Sequence, residues 1–269
     1  MSKTFTADWL ALREPVDHRS RAHGLLSRLS AWWGTAGDFR IADLGSGTGS
    51  NLRYLAPRLS GFQEWTLVDH DTALLASAEP MERVTQLKRV PGNLAREGLE
   101  VARRADLVTG SALLDLVSDT WLKQLADACR STRCAALFAL SVDGLSEWSD
   151  SDPDDRLVGD AVNAHQRRDK GLGPALGPTA GDVAERCFRA AGYRTWRVPT
   201  PWRLSSGDAA LALSLVDGWA RAAEEELPVQ AKRIQDWADR RQRTILEGSF
   251  TLMVGHVDLL ALPGEVASL

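Results

Sequence analysis

A short apolar run, Phe39-Arg-Ile-Ala-Asp-Leu44, stops at Gly45-Ser-Gly47-Thr-Gly49 and gives way to an amphipathic stretch. This juncture restricts the fold more than any other segment of the 269-residue chain. Three glycines in five positions let the backbone turn sharply between a strand and a helix, and they let a ligand approach the main chain at a helix N-terminus. A second strand, Trp65-Thr-Leu-Val-Asp69, ends on an acid twenty residues after Gly49. A carboxylate in that place can accept two hydrogen bonds from vicinal ribose hydroxyls. Glycine loops also serve as plain tight turns. The order strand, glycine loop, helix, strand, terminal acid sets this one apart.

The alternation continues along the chain. The loop leads into a helix over about 49–59, and Thr72 to about Val84 reads as a helix with Asp71 as N-cap. A third strand is expected near Gln86–Pro91, a fourth at Ala105–Thr109 and a fifth at Ala135–Val142, the last apolar throughout like a central parallel strand. Ser118–Arg130 is a helix between them, and Thr179 with Asp182 resembles a capping box for a helix ending at Gly192. Tyr193–Val198 and Phe250–Leu262 are the sixth and seventh strands. The fold class is therefore α/β, doubly wound, with a mostly parallel seven-stranded sheet. Residues 1–34, 144–178 and 202–247 fall outside the minimal pattern; the last holds two helical segments, Asp208–Glu226 and Val229–Leu246. The two internal insertions follow the fifth and sixth strands, on the side where such sheets bind ligands. The expectation is one domain over 1–269, with N-terminal cap helices over 1–34, a cofactor-binding half over 35–143 and a helical cap from the two insertions.

Composition narrows the function classes. Hydrophobic residues at 44% and charged residues at 25% exclude wholesale disorder. A net charge of −4 offers no basic excess for nucleic acid or an acidic membrane. The three cysteines, Cys129, Cys134 and Cys187, lack metal-site or CxxC spacing and fit a reducing compartment. The N-terminus lacks the apolar core of a signal peptide, and no long uncharged apolar run follows it. The expectation is a cytoplasmic protein with a small-molecule partner and neither a nucleic-acid nor a membrane partner.

The third glycine of a dinucleotide fingerprint would fall at position 50, where this chain has Ser50. Asp43, directly before the loop, would repel a pyrophosphate but suits a cationic amine. Asp43-Leu-Gly-Ser-Gly-Thr-Gly49 with Leu67-Val-Asp69-His-Asp71 resembles the first two motifs of class I (seven-stranded) S-adenosylmethionine-dependent methyltransferases. The resemblance covers about residues 36–262 in architecture and only short segments in motif. It implies an antiparallel last strand inserted beside the sixth, S-adenosylmethionine as cofactor, and methyl transfer to a small molecule. It further implies that Gly45, Ser46 and Gly47 pack under the methionine moiety, that Asp43 helps hold its ammonium, and that Asp69 binds the ribose with His70 flanking. Asn93 and Leu94 stand where the family often holds adenine, Ser111 lies near the methyl group, and Arg21 or Arg13 can reach the cofactor carboxylate from a leading helix. A non-catalytic nucleoside-binding protein and, further off, a nicotinamide-dependent oxidoreductase stay open as alternatives.

Methyl transfer from a sulfonium needs alignment and, where the acceptor carries a proton, a base. No metal is called for, and the five histidines show no ligand spacing. His165, at a helix end before a Gly/Pro-rich loop, is the first candidate base, with Asp143 and Asp115 as rivals. Lys170 and Arg168 suit an acidic group of the acceptor, although solvated surface charge is the commoner explanation for such residues. Seven of the ten tryptophans, Trp202 among them, lie in the three cap stretches. They line a substrate pocket or pack cap helices together. The basic run Lys232–Arg243 alternates with acids at helical spacing and reads as a self-paired outer face.

Overall fold

The computed structural model describes residues 6–34 and 38–264. Strands β1 (Asp38–Leu44), β2 (Phe62–Asp69), β3 (Val84–Pro91), β4 (Leu107–Ser111) and β5 (Ala135–Trp148) pair in parallel. With β6 (Tyr193–Pro199), β7 (Trp202–Leu204) and β8 (Leu252–Pro263) they form one sheet of order β3-β2-β1-β4-β5-β8-β6. Strand β8 runs antiparallel between β5 and β6, as the resemblance implies. Among the described residues the sheet has eight strands, because the three-residue β7 adds to the start of β8.

Both faces of the sheet are covered, which is why its central strands are apolar at successive positions. On one face Ala42, Val68, Val108 and Phe138 pack with α5 (Leu99–Ala102), α6 (Asp119–Thr132) and α8 (Ala180–Ala190). On the other, Ile41, Leu67, Leu107 and Leu137 meet α2 (His23–Trp33), α3 (Ser50–Leu55) and α4 (Thr72–Ala76). A third cluster joins α7 (Asp155–Gln166), α9 (Ala209–Glu226) and α10 (Ala231–Leu246) to Leu140 and Trp202. These three helices lie in the two stretches expected to form the cap. Trp202 and Trp237 are buried in that cluster, and Trp9, Trp148 and Trp219 pack against it, so much of the tryptophan builds the cap's own core.

Several local expectations need correction. Asp71 caps α4 through Oδ1, which accepts from Ala73 N at 2.9 Å and Leu74 N at 3.1 Å, but the helix stops at Ala76. Pro80 lacks the amide hydrogen that a continued helix needs, and its ring crowds the preceding turn. The helix after the glycine loop shortens for the same reason, passing at Ala56 into a single turn that contains Pro57. Thr179 makes no capping box; its hydroxyl donates to Leu176 O at 2.8 Å. Strand β5 runs past Val142 to Trp148, through register shifts near Leu140 (φ +55°) and Gly144 (φ +83°), and so enters the stretch read as cap.

The basic face of α10 is only partly self-paired. Lys232 pairs with Asp236, whereas Arg233, Arg240 and Arg241 cross to the acidic run before α7. Arg240 Nε donates to Asp152 Oδ2 at 2.6 Å, and the buried Arg241 donates from Nε to Asp155 Oδ1 at 3.0 Å while its guanidinium lies over the Trp148 ring. The two insertions are thereby clamped to each other.

Candidate functional site

The glycine loop takes left-handed backbone angles at Gly45 (φ +65°), Gly47 (φ +51°) and Gly49 (φ +83°), where a side chain would add strain. Gly45 N and Ser46 N donate to Val68 O at 2.8 and 3.2 Å, which fixes the loop to the end of β2. A Cβ on Gly47 would lie 3.1 Å from Leu10 of α1 (Ala7–Ser20), so that helix rests directly on the loop. Two further ties hold it there: Arg53 Nε donates to Glu14 at 2.7 Å, and His18 Nε2 lies 3.1 Å from Ser50 Oγ.

Asp69 is buried at the end of β2. Its Oδ2 accepts from Gly47 N at 2.8 Å and its Oδ1 from Asp71 N at 3.0 Å, with His70 Nδ1 3.2 Å away. Each oxygen keeps capacity for a further donor. Gly92 N donates to Asp69 O at 2.9 Å and so brings the next turn alongside. There Asn93 Oδ1 caps the turn through Ala95 N at 2.7 Å, and Leu94 packs against the core.

Asp43 is fully buried in β1, one strand over. Asn51 Nδ2 donates to its Oδ1 at 2.9 Å, but its Oδ2 has no partner. Burial pushes the carboxyl from its ordinary 3.8 up to about 7; the Asn51 hydrogen bond and the Arg21 guanidinium oppose this, and Asp69 adds to it. Ser46 Oγ is also buried without a partner. A buried acceptor left unpaired costs about 1–3 kcal/mol, which an arriving donor recovers. Arg21 is buried beside this group, donating from Nη1 to Asn51 Oδ1 at 3.0 Å. Its Nε lies 3.5 Å from Asp258 Oδ2, and its guanidinium sits 4.5 Å above the Tyr54 ring. Arg21, Asp43, Ser46, Gly47 and Asp69 are thus brought together. Asn51 joins them, and the sequence reading passed over it; its one signal was a polar residue in the first turn after the loop.

A second group stands over the end of β4. Ser111 is half-buried and pairs in register with Ala139 of β5. Leu113, two residues on, would meet a Cβ on Gly45 at 3.1 Å. Asp115 follows in a one-turn helix, buried, with Oδ1 unpartnered. Burial raises its carboxyl to about 6 against the pull of the Arg13 and Lys170 cations. Arg13 holds Asp17 at 2.8 Å and lies 4.9 Å over the Trp202 ring. Trp202 is buried with its Nε1 unpartnered, 4.8 Å from His256 between ring centroids. His256 is kept neutral by burial, which lowers its pKa to about 3.

The remaining candidates make contacts of their own, although Lys170 is near enough for its charge to act on Asp115. His165 Nε2 is 3.0 Å from Glu225 Oε2, which Arg168 also binds at 3.2 Å, so both side chains tie α7 to α9. Lys170 Nζ donates to His165 O at 3.3 Å. Asp143 Oδ1 accepts from Leu145 N at 3.0 Å at the bend in β5, pressed against Gly255. A cleft of about 410 Å³ on the far part of the sheet, lined by Trp148, Arg203 and Met253 among others, includes none of the candidate residues. Among the described residues no acidic, histidine or cysteine group is arranged to hold a metal ion, and no helix is long and apolar enough to cross a membrane.

No protein-family model matches the sequence, and no curated protein does. Solved structures are similar at low identity. The YcgJ protein from Bacillus subtilis is 13% identical, with 91% of this chain and 100% of that chain covered and a TM-score of 0.49. The cyclopropane synthase MmaA2 from Mycobacterium tuberculosis is 10% identical over 96% of this chain and 94% of its own, with a TM-score of 0.49. An S-adenosylmethionine-dependent methyltransferase from Geobacter sulfurreducens, in complex with S-adenosylhomocysteine, is 16% identical over 98% and 100%, with a TM-score of 0.46.

Proposed function

We propose that this chain is an S-adenosylmethionine-dependent methyltransferase acting on a small-molecule acceptor held under the helical cap. The observation that carries the reading is the unpartnered Oδ2 of Asp43, buried beside a glycine loop whose next acid, Asp69, sits at the end of β2. A buried carboxyl with a free oxygen is matched by an ammonium and repels a pyrophosphate, which favours the amino-acid end of S-adenosylmethionine over a dinucleotide. On this reading Asp43 takes the ammonium, Asp69 the ribose with His70 at its rim, and Gly45, Ser46 and Gly47 the methionine chain. Asn93 and Leu94 border the adenine, and Ser111 stands near the methyl group.

When bound, S-adenosylmethionine supplies a methyl group that is already electrophilic. The chain's part is to align the acceptor, exclude water and hold any proton the acceptor loses. Three groups stand as candidates for that proton. Asp115 is the best placed, because its unpartnered carboxyl oxygen follows β4 directly and its pKa near 6 leaves it ionised at neutral pH. His165 already bonds Glu225, and Asp143 already accepts from Leu145 N. Lys170 and Trp202 border the acceptor's side of the site. The test is titration calorimetry with S-adenosylhomocysteine and NADH in parallel. Saturable micromolar binding of the first alone supports the reading; binding of NADH, or of neither, overturns it.

A further inference from the structure

One buried carboxylate outside the groups so far assigned draws together three segments far apart in sequence. Asp258 stands on β8, 1% exposed, inside the otherwise apolar run Val257–Leu262. Its Oδ1 accepts from Leu140 N at 2.9 Å and Thr200 Oγ1 at 3.0 Å, and its Oδ2 from Ala22 N at 3.0 Å. Arg21 Nε lies 3.5 Å from the same Oδ2. The carboxylate therefore holds the left-handed bend of β5, the turn before β7 and the junction between α1 and α2.

The chain of contacts runs on from Arg21. Its Nη1 donates to Asn51 Oδ1, and this forces the Asn51 amide nitrogen toward Asp43 Oδ1 at 2.9 Å and Thr109 Oγ1 at 3.0 Å. With Asn51 Oδ1 engaged by a guanidinium, the amide has one orientation only. Thr109 closes the relay by donating its hydroxyl to Leu137 O at 2.7 Å, which leaves that oxygen as the acceptor for Asn51. Asp43 is thus presented with one oxygen bonded and the other free. The Tyr54 ring lies below the guanidinium, 4.5 Å from it, and supports Arg21 from that side.

We propose, on the reading that the loop takes S-adenosylmethionine, that Asp258 is a positioning residue. It fixes Arg21, Arg21 orients Asn51, and Asn51 turns the free oxygen of Asp43 toward the ligand's ammonium. Arg21 works inside the protein as the link in this relay. Nothing in the relay touches the sugar or base side of the site, where Asp69 is held separately by Gly47 and Asp71.

Two ligands separate the ends of the site. S-Adenosylhomocysteine carries the amino-acid end; 5′-methylthioadenosine has the same nucleoside and lacks that end. Both are titrated into wild type, Asp258→Asn and Arg21→Met. The second variant keeps the three uncharged donors of Asp258 and serves if the first does not fold. We expect either variant to lose roughly 10-fold or more for S-adenosylhomocysteine, as when a hydrogen bond to a charged group is lost. Affinity for 5′-methylthioadenosine should stay within about twofold of wild type. Equal loss for both ligands marks a general structural role and overturns the inference, as does no loss for either. A wild-type protein that binds neither ligand overturns the functional reading and this inference with it.

Discussion

If Asp43 receives an ammonium, ligand binding must release protons, and the amount is set by the buried carboxyl. Its pKa of about 7 in the ligand-free protein means that about 0.9 of the molecules carry the proton at pH 6, about half at pH 7 and about 0.1 at pH 8. The ligand's ammonium keeps its own proton throughout this range, and the bound carboxyl ionises to pair with it. Titration with S-adenosylhomocysteine in buffers of differing ionisation enthalpy should therefore release close to one proton per site at pH 6 and little at pH 8. Affinity should rise by up to about tenfold per pH unit below 7 and level off above it. Ligand-free stability carries the opposite trend. The folded carboxyl binds its proton more tightly than the unfolded one, with its ordinary 3.8, so this group's contribution declines as pH rises from about 4 to about 7 and is flat beyond. Asp43→Asn should abolish both the proton release and that slope. Binding that releases no proton at pH 6, or that releases it equally from Asp43→Asn, refutes the placement of the ammonium.

Three more outcomes are expected. Asp69→Ala should weaken S-adenosylhomocysteine by ~10–100-fold, from loss of hydrogen bonds to a charged acceptor worth roughly 1.5–3 kcal/mol; unchanged affinity in calorimetry contradicts the ribose assignment. Once an acceptor is in hand, Asp115→Asn should depress turnover and remove an acid limb near pH 6 from the rate profile while leaving cofactor affinity intact. His165→Asn run beside it should cost less, and the reverse ranking moves the proton to His165. Arg241→Met should destabilise the fold by about 2 kcal/mol in urea denaturation, below the 3–5 typical of a fully buried pair because Asp155 and Asp150 remain partly solvated; a shift under half that size means the clamp between the insertions contributes little.

The core of the sheet was legible because its signals are local. Apolar runs of strand length, glycines where φ is positive and Asp71 as a cap each act within a few residues, and β1, β2, β4 and β8 stand where those signals place them. Misreadings came where a nearby residue outweighed a periodic pattern, as Pro80 did for the helix after Asp71, or where a strand bends and continues, as β5 does through Leu140 and Gly144. Partners far apart in sequence were out of reach. Periodicity gave α10 a self-paired face, but its arginines find stronger partners in four aspartates about 80–90 residues earlier. Within the site the pattern marked Asp43 and Asp69 through the loop between them. Asp258 was invisible to it, since its donors at 22, 140 and 200 are united only by the fold.

The most direct test is a crystal structure of the wild-type chain with S-adenosylhomocysteine. The ligand's amino nitrogen should lie within hydrogen-bond distance of Asp43 Oδ2 and its ribose hydroxyls against Asp69. A ligand bound elsewhere, with that oxygen still unpartnered, contradicts the account.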